Sequence, residues 1–325
     1  MKRKMVKFDA HGSRKMDSNA SFCMAPFVHT YLSPQSERRL CCASREQPQF
    51  VRQYIDAAGE KKDNSFSPVS LKEHWNSDFQ KRVRRQMLQG ESVPECSICS
   101  EQILNLSTYR AWFTDYLFRD KIQEAFDKTD DDGCTMLDPV SFDYRLSNAC
   151  NFKCRMCGHQ LSSSWEIEIR RNNAWSPVYD LWMTPEVGQQ IKDFQKNMAE
   201  KEFVDAMKTG KVEEIYWVGG EPLVWELHWQ VMQDLVANGF SKKVYCRYNT
   251  NLSLIERKGI HLFRDLLPSV KDYMMCCSLD GVGAIGEWIR TGLQWETWVQ
   301  NFQAGLLVPG KRDRMKMDLT LISWA

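Results

Sequence analysis

The sequence has few of the features that would place it outside the ordinary globular proteins. Its net charge is only +1, so charge gives no reason to expect a nucleic acid or a membrane surface as partner. No segment approaches the roughly eighteen continuous apolar residues of a membrane span, and the basic residues 1–15 lack the apolar stretch of a secretion signal. Internal repeats and low-complexity tracts are also missing. These absences predict a soluble cytoplasmic protein with no membrane partner.

Cysteine is abundant, at twelve residues in 325. In a long chain without a secretion signal, clustered thiols are more often metal ligands or catalytic groups than disulfides. We expect Cys134, Cys246 and the pair Cys276–Cys277 to pack in the core as small apolar side chains. The remaining clusters are Cys41–Cys42, the pair Cys96 and Cys99, and the triplet Cys150, Cys154 and Cys157.

The pattern of the chain changes near residue 130, where an acidic turn ends in glycine. We predict a basic mobile tail over residues 1–20, a cysteine-rich domain over 21–133 and a larger domain over 134–325. The middle region has two predicted helices, at 71–89 and 100–127. With few alternating runs, it is expected to be organised around something other than a large hydrophobic core.

The larger domain follows the rhythm of βα units. From the second strand on, the predicted strands recur at roughly thirty to forty residues, with helical patterns between them, which is typical of a parallel sheet in an α/β fold. The predicted strands are 140–147, 213–220, 242–249, 272–280 and 314–322, and the predicted helices are 187–207 and 227–239.

The cysteine triplet lies in the stretch SNACNFKCRMCGHQ, just after the first predicted strand. Three thiolates from one short loop can bind three irons of a [4Fe–4S] cluster and leave the fourth iron without a protein ligand. His159 offers an alternative, because it would complete a Cys₃His zinc site. The triplet alone leaves both interpretations open.

Gly219-Gly220-Glu221-Pro222 ends the second predicted strand. Glycines let a ligand approach the backbone closely, and a carboxylate beside them can accept a hydrogen bond from an amine. A simple turn would explain this motif in isolation. Its position at the carboxyl end of the strand that follows the cysteine loop makes a ligand site the better interpretation.

The cysteine loop followed by GGE resembles the radical S-adenosylmethionine (SAM) enzymes. The stretches YNTN (248–251) and SLDG (278–281), at the ends of the third and fourth strands, agree with that family. The resemblance covers about residues 140–325 and implies a partial (β/α)₆ TIM-like barrel. Because this sequence reaches only the fifth strand, we expect either a truncated barrel or one that a partner chain completes.

The resemblance also implies roles for individual residues. Cys150, Cys154 and Cys157 would ligate the [4Fe–4S] cluster, whose open iron would bind SAM. Electron transfer to SAM would then yield a 5′-deoxyadenosyl radical that abstracts a hydrogen atom from the substrate. The residues expected to contact SAM are Met156, Gly219, Gly220, Glu221, Pro222, Asn249, Ser278, Asp280 and Arg290.

The N-terminal cysteines resemble the auxiliary-cluster modules called SPASM or twitch. The order is a cysteine after a short hairpin, then Trp, a helix and the stretch Gly90-Glu91 to Cys99. The resemblance implies a second [4Fe–4S] cluster with ligands Cys23, Cys41 or Cys42, Cys96 and Cys99. A structural zinc site is the alternative.

The function that follows is an oxidoreductase-type radical SAM enzyme supplied with electrons by a reductant such as flavodoxin or ferredoxin. Its substrate would be a peptide or protein. The alternatives are a small molecule, sugar, lipid or RNA as substrate, or an inactive zinc-stabilised interaction module.

Overall fold

The first part of the chain is mainly helical, and the second combines a mostly parallel sheet with helices. In a computed structural model, the described residues are 3–10, 12–15, 18–45, 68–101, 108–177 and 180–320. The chain divides into an N-terminal unit, Met1–Leu32 with Glu37–Ser141, and a C-terminal unit, Ser33–Ser36 with Phe142–Ala325. The fold is mixed α/β with mostly parallel strands, which confirms the predicted α/β class.

The N-terminal unit contains short helices and one antiparallel hairpin, in which Tyr31 pairs with Arg39. Its helices and strands, in chain order, are α1 Ala25–Val28, β1 His29–Leu32, β2 Arg38–Arg39, α2 Leu71–Trp75, α3 Asp78–Gln89, α4 Ser97–Glu101, α5 Tyr109–Ala111 and α6 Ile122–Asp127. Between them lie the 3₁₀ turns Pro94–Cys96 and Arg119–Lys121 and the π turn Trp112–Leu117.

Neither predicted helix of this unit is continuous. The first is divided into α2 and α3 because Ser70 and Ser77 each cap a helix, accepting a hydrogen bond from the amide of Glu73 and of Gln80. The second is a series of short turns that begins again at Thr108, whose hydroxyl accepts from Ala111 N at 3.2 Å. Residues 102–107 of that prediction lie outside the described residues.

The expectation that this unit lacks a large apolar core is wrong. Phe22 stacks on Phe27 and Phe126, with ring centroids 5.3 and 5.2 Å apart, and all three side chains are buried. Described residues of the predicted tail join this core, since Val6 is buried and Lys4 N donates to Leu88 O at 2.8 Å. Hydrophobic burial therefore stabilises this unit, in addition to whatever its cysteines bind.

The C-terminal unit contains the parallel sheet. In chain order its elements are β3 Ser141–Tyr144, β4 Lys153–Cys154, α7 Ser163–Arg171, α8 Pro185–Phe194, α9 Glu200–Lys208, β5 Glu214–Trp217, α10 Glu226–Ala237, β6 Tyr245–Thr250, β7 Glu256–Arg257, β8 Ile260–His261, β9 Asp272–Ser278, α11 Gly283–Ile289, β10 Arg290–Thr291, α12 Trp295–Leu306 and β11 Met315–Asp318. Its 3₁₀ or π turns are Leu181–Met183, Gln195–Ala199, Pro222–Val224, Phe240–Lys243, Leu262–Leu266, Leu267–Ser269 and Arg312–Arg314.

Each of the five predicted strands is present, although residues 321–322 of the last lie outside the described residues. Within this unit the strand order is β11-β9-β6-β5-β3. The pairs β5–β6, β6–β9 and β9–β11 are parallel. Since parallel strands end at the same edge, the segments after β5, β6, β9 and β11 meet there, as the sequence pattern predicts.

Helix α10 packs against one face of the sheet. His228 of this helix is buried against Trp217 and lies 3.1 Å from the hydroxyl of Tyr248. Burial lowers the pKa of His228 to about 3, so this histidine is neutral and structural at physiological pH. No helix among the described residues has the length and apolar character needed to span a membrane.

Candidate functional site

The cysteine triplet lies on the loop that follows β3. Cys154 is buried, Cys150 and Cys157 are half-buried, and all three are free thiols. Burial, with smaller contributions from the nearby Glu221, Cys154 and Cys157, raises the pKa of Cys150 to about 12. Burial likewise raises the pKa of Cys154 to about 11. Cysteine binds metals as the thiolate, so a metal cation bound by these thiols would displace their protons to solvent.

Helix α7 fixes this loop through hydroxyl groups that the sequence interpretation overlooked. Ser163 Oγ accepts from Cys150 N at 3.1 Å, and Ser164 Oγ donates to Cys150 O at 3.0 Å. The Trp165 indole donates to Cys154 O at 2.8 Å. The run Ser-Ser-Ser-Trp just after the cysteines was the available signal, because serine is a preferred helix N-cap.

The glycines of GGEP are needed because the end of β5 contacts the cysteine loop. A Cβ on Gly220 would lie 2.2 Å from Ala149 O, and Gly219 has a φ of +137°. The amide of Glu221 donates to the same carbonyl of Ala149 at 2.7 Å. Only glycine permits this close approach, which places the end of β5 directly against the residue before Cys150.

The Glu221 side chain is buried and bonded within the protein. Its carboxylate accepts from Asn251 N at 2.6 Å, Thr250 Oγ1 at 2.7 Å and Leu223 N at 3.0 Å. Burial raises its pKa to about 7 despite these hydrogen bonds. Glu221 therefore joins the end of β5 to the end of β6. Pro222, which is also buried, begins the 3₁₀ turn that follows.

Arg290 lies against the triplet because β10 pairs with β4, in a register that places Arg290 opposite Cys154. Its Nη1 donates to Cys154 Sγ at 3.6 Å, and its Nε lies 2.6 Å from Asp280 Oδ2. The other oxygen of Asp280 accepts from Thr320 N at 2.7 Å. A buried cation, held by a buried carboxylate, thus lies beside one of the three thiols.

The remaining predicted contacts also lie at or next to the strand ends. Asn249 Oδ1 accepts from the hydroxyl of Tyr216 at 3.0 Å, and Asn249 Nδ2 lies 3.4 Å from Asp318 Oδ2. Ser278 is half-buried and pairs in register with Asp318, while Met156 is half-buried on the cysteine loop.

Arg247 is a residue of this sheet that we did not predict as part of the site. Its guanidinium lies 3.6 Å from the Tyr216 ring, on the strand face that also presents Asn249. Two-residue alternation along β6 could have identified it. On β9 the expectation of core packing is confirmed for the buried Cys277, whereas Cys276 is only half-buried and lies on the face with Asn249.

His159, the alternative zinc ligand, has other partners. Its Nε2 lies 3.0 Å from Asp180 Oδ1, and its ring stacks on Trp182 with centroids 5.4 Å apart. Its ring is thus engaged on the residue 180–182 side of the loop, which weakens the Cys₃His interpretation.

The N-terminal unit brings a second set of thiols together. Four of the predicted ligands, Cys23, Cys41, Cys96 and Cys99, line one cavity, and Cys42 is outside that lining. Cys41 follows the β1–β2 hairpin. Cys96 and Cys99 flank the junction of a 3₁₀ turn with α4, where a spacing of three residues places both on one side.

Burial dominates the chemistry of these thiols as well. It raises the pKa of Cys23 to about 11 and places those of Cys41 and Cys96 well above the ordinary value, with neighbouring cysteines adding to the shift. Among the described residues, no group of three or more His, Cys, Asp or Glu side chains is arranged to hold a single metal ion. The four thiols share a cavity rather than converge on one point.

Comparison with known proteins adds no relative. No family model, no curated protein and no solved structure matches this chain.

The contact between Gly220 and the cysteine loop predicts the effect of one methyl group. Gly220→Ala should lower the free energy of unfolding by about 1–3 kcal/mol, because its Cβ would collide with backbone atoms of Ala149. Gly158→Ala is the matched control, since nothing lies within 4 Å of its Cβ, and should change stability by less than about 0.5 kcal/mol. Urea unfolding of both variants is the measurement, and equal stabilities would contradict the assigned contact.

The raised pKa of Glu221 predicts that the stability of the fold depends on pH. Its carboxyl keeps a proton up to a pKa of about 7 in the folded chain, against an ordinary 4.5, so unfolding releases a proton between these values. The free energy of unfolding contributed by this group therefore falls as pH rises from 4.5 to 7, by about 3 kcal/mol. Urea titrations at several pH values should show the difference between wild type and Glu221→Gln decline over this range.

The control for this titration is Glu226→Gln. Hydrogen bonding to Lys258 lowers the pKa of the half-buried Glu226, so above about pH 5.5 this carboxyl is ionised in both the folded and unfolded chain. The difference between wild type and this variant should be flat from pH 5.5 to 7. A Glu221→Gln difference that is equally flat would contradict the raised pKa of Glu221.

Proposed function

We propose that this protein is a radical SAM enzyme. The observation that carries the proposal is the arrangement around Cys150, Cys154 and Cys157: three free thiols on one loop, bonded through Ala149 to the end of β5. Polar groups from β6 and β9 lie at the same edge of the sheet. A partial barrel of the radical SAM type is the finer fold that we propose for the C-terminal unit.

In this proposal the three thiolates hold a [4Fe–4S] cluster. Such a group would supply one-electron chemistry that cleaves SAM into methionine and a 5′-deoxyadenosyl radical, and the radical would take a hydrogen atom from the substrate. The donor set fits such a group, since cysteine thiolates are the usual ligands of iron–sulfur clusters. The half-buried or buried position of each thiol supports a site shielded from bulk water.

Residues of the chain have distinct tasks. Arg290 compensates negative charge at Cys154 and is itself oriented by Asp280. Glu221 holds the ends of β5 and β6 together, so that the backbone of Gly219 and Gly220 remains in position for the amino group of SAM. The residues expected to contact the rest of SAM are Met156, Pro222, Asn249, Ser278 and Asp280.

We further propose an auxiliary [4Fe–4S] cluster in the N-terminal unit. The shared cavity supports Cys23, Cys41, Cys96 and Cys99 as its ligands, with Cys42 as the spare member of the adjacent pair. The donor set, four cysteines without histidine or carboxylate, also suits zinc. Metal analysis of the protein distinguishes the two.

The resemblance to radical SAM enzymes supplies the rest of the proposal. A flavodoxin or ferredoxin would supply electrons, the substrate would be a peptide or protein, and a partner chain could complete the barrel. A small molecule, sugar, lipid or RNA is the alternative substrate. We also propose that the protein is cytoplasmic, because clustered free thiols are typical of a reducing compartment.

The test is SAM cleavage by anaerobically reconstituted protein with dithionite as reductant. Wild type should form 5′-deoxyadenosine, and Cys154→Ala should reduce its formation to background. Cys134→Ala is the control, because Cys134 is a half-buried thiol of the other unit, and should retain wild-type activity. Cleavage that survives in Cys154→Ala would refute the assigned ligands, and no cleavage by wild type would refute the function.

A further inference from the structure

Arg110 of α5 is a buried cation that neither the sequence motifs nor the proposed function assigns. Its side chain lines the cavity shared by the four N-terminal cysteines, and the residue is only 8% exposed. A guanidinium is costly to bury unless its charge and its donors find partners. The question is what Arg110 pairs with.

The hydrogen bonds of Arg110 to other described residues use only part of its guanidinium. Nη1 donates to Ala20 O at 3.1 Å, and Nη2 donates to Ser100 Oγ at 3.0 Å. Nε is buried and has no hydrogen-bond partner among the described residues. Ser100 in turn donates to Cys96 O at 3.2 Å, so these bonds hold the guanidinium beside the two cysteines of the α4 segment.

Other charges near these thiols are already paired. Arg14 forms an ion pair with Asp115 at 2.7 Å, and Glu95 forms one with Arg82 at 2.6 Å. Arg110 has no carboxylate partner among the described residues, although it acts electrostatically on Cys23 and Cys96. Among the described residues, the cavity is therefore lined by four thiols, by a cation without a carboxylate partner and by an N–H donor without an acceptor.

We propose that Arg110 is the charge-compensating residue of the auxiliary iron–sulfur centre, and that its Nε–H donates to a sulfur of that centre. Four thiolates give such a centre a net negative charge, which a buried guanidinium offsets. Hydrogen bonds to sulfur and nearby charge are the means by which a protein tunes the potential of an iron–sulfur centre. This inference rests on the auxiliary-cluster part of the proposed function.

The test isolates this centre in the full chain by combining Cys150→Ala, Cys154→Ala and Cys157→Ala. In that background, an EPR-monitored redox titration measures the midpoint potential of the protein with Arg110 unchanged and of the variants Arg110→Lys and Arg110→Met. Removing the cation disfavours uptake of an electron, so Arg110→Met should shift the potential to more negative values. Arg110→Lys, which keeps the charge but loses the planar fork, should shift it less.

Arg85→Met is the control, because it removes a charge from the same unit without altering the cavity lining, and should leave the potential unchanged. If Arg110→Met fails to fold, Arg110→Gln provides the uncharged variant. An unchanged potential in the folded uncharged variant would overturn the proposal, as would an iron centre missing from a folded Arg110→Lys protein.

Zinc in place of iron in the triple-alanine background would also overturn the inference about Arg110. It would leave the proposed SAM chemistry standing, because SAM cleavage by the chain with Cys150, Cys154 and Cys157 intact is measured separately. If the chain with intact loop cysteines does not cleave SAM but Arg110→Met still shifts the midpoint potential as expected, only the radical SAM function is refuted.

Discussion

The candidate site of the C-terminal unit depends on one close backbone contact. The amide of Glu221 donates to Ala149 O, and the missing side chain of Gly220 allows the two segments to meet. This contact holds the cysteine loop against the end of β5. The Glu221 carboxylate extends the connection to the end of β6 through Thr250 and Asn251. The cysteine loop and the ends of β5 and β6, which are far apart in the sequence, are thus held together at one site.

Each set of thiols is accompanied by a buried arginine. Arg290 lies beside Cys154 and is held by Asp280, whereas Arg110 lies at the N-terminal cavity and has no carboxylate partner in the part of the chain that the structure describes. Burial raises the pKa of the thiols in both places, which disfavours thiolates until a cation compensates them. The arginines are the protein's own contribution to that compensation. They are positioned by the β4–β10 pairing in one unit and by Ser100 and Ala20 in the other.

The sequence predicted the parallel sheet well because period-two alternation and regular spacing are local signals that survive folding. It also predicted that the segments around Cys150, Gly220 and Asn249 would meet, since the topology of parallel strands requires it. It failed in the N-terminal unit, where aromatic residues such as Phe22 and Phe126 form a core from segments about a hundred residues apart, with no periodic pattern to indicate it. The importance of Arg110 was missed because the cavity that it lines is assembled from five separate segments of the chain.

The proposed chemistry requires that the loop thiols hold a cluster with an iron open to SAM. The direct measurement is the EPR spectrum of the reduced Cys96→Ala/Cys99→Ala protein, in which the loop cluster is the expected signal, recorded before and after addition of SAM. We expect one reduced cluster whose spectrum changes when SAM is added, because SAM would coordinate the open iron. A cluster spectrum that SAM leaves unchanged, or a protein that binds no iron in the loop, would contradict it.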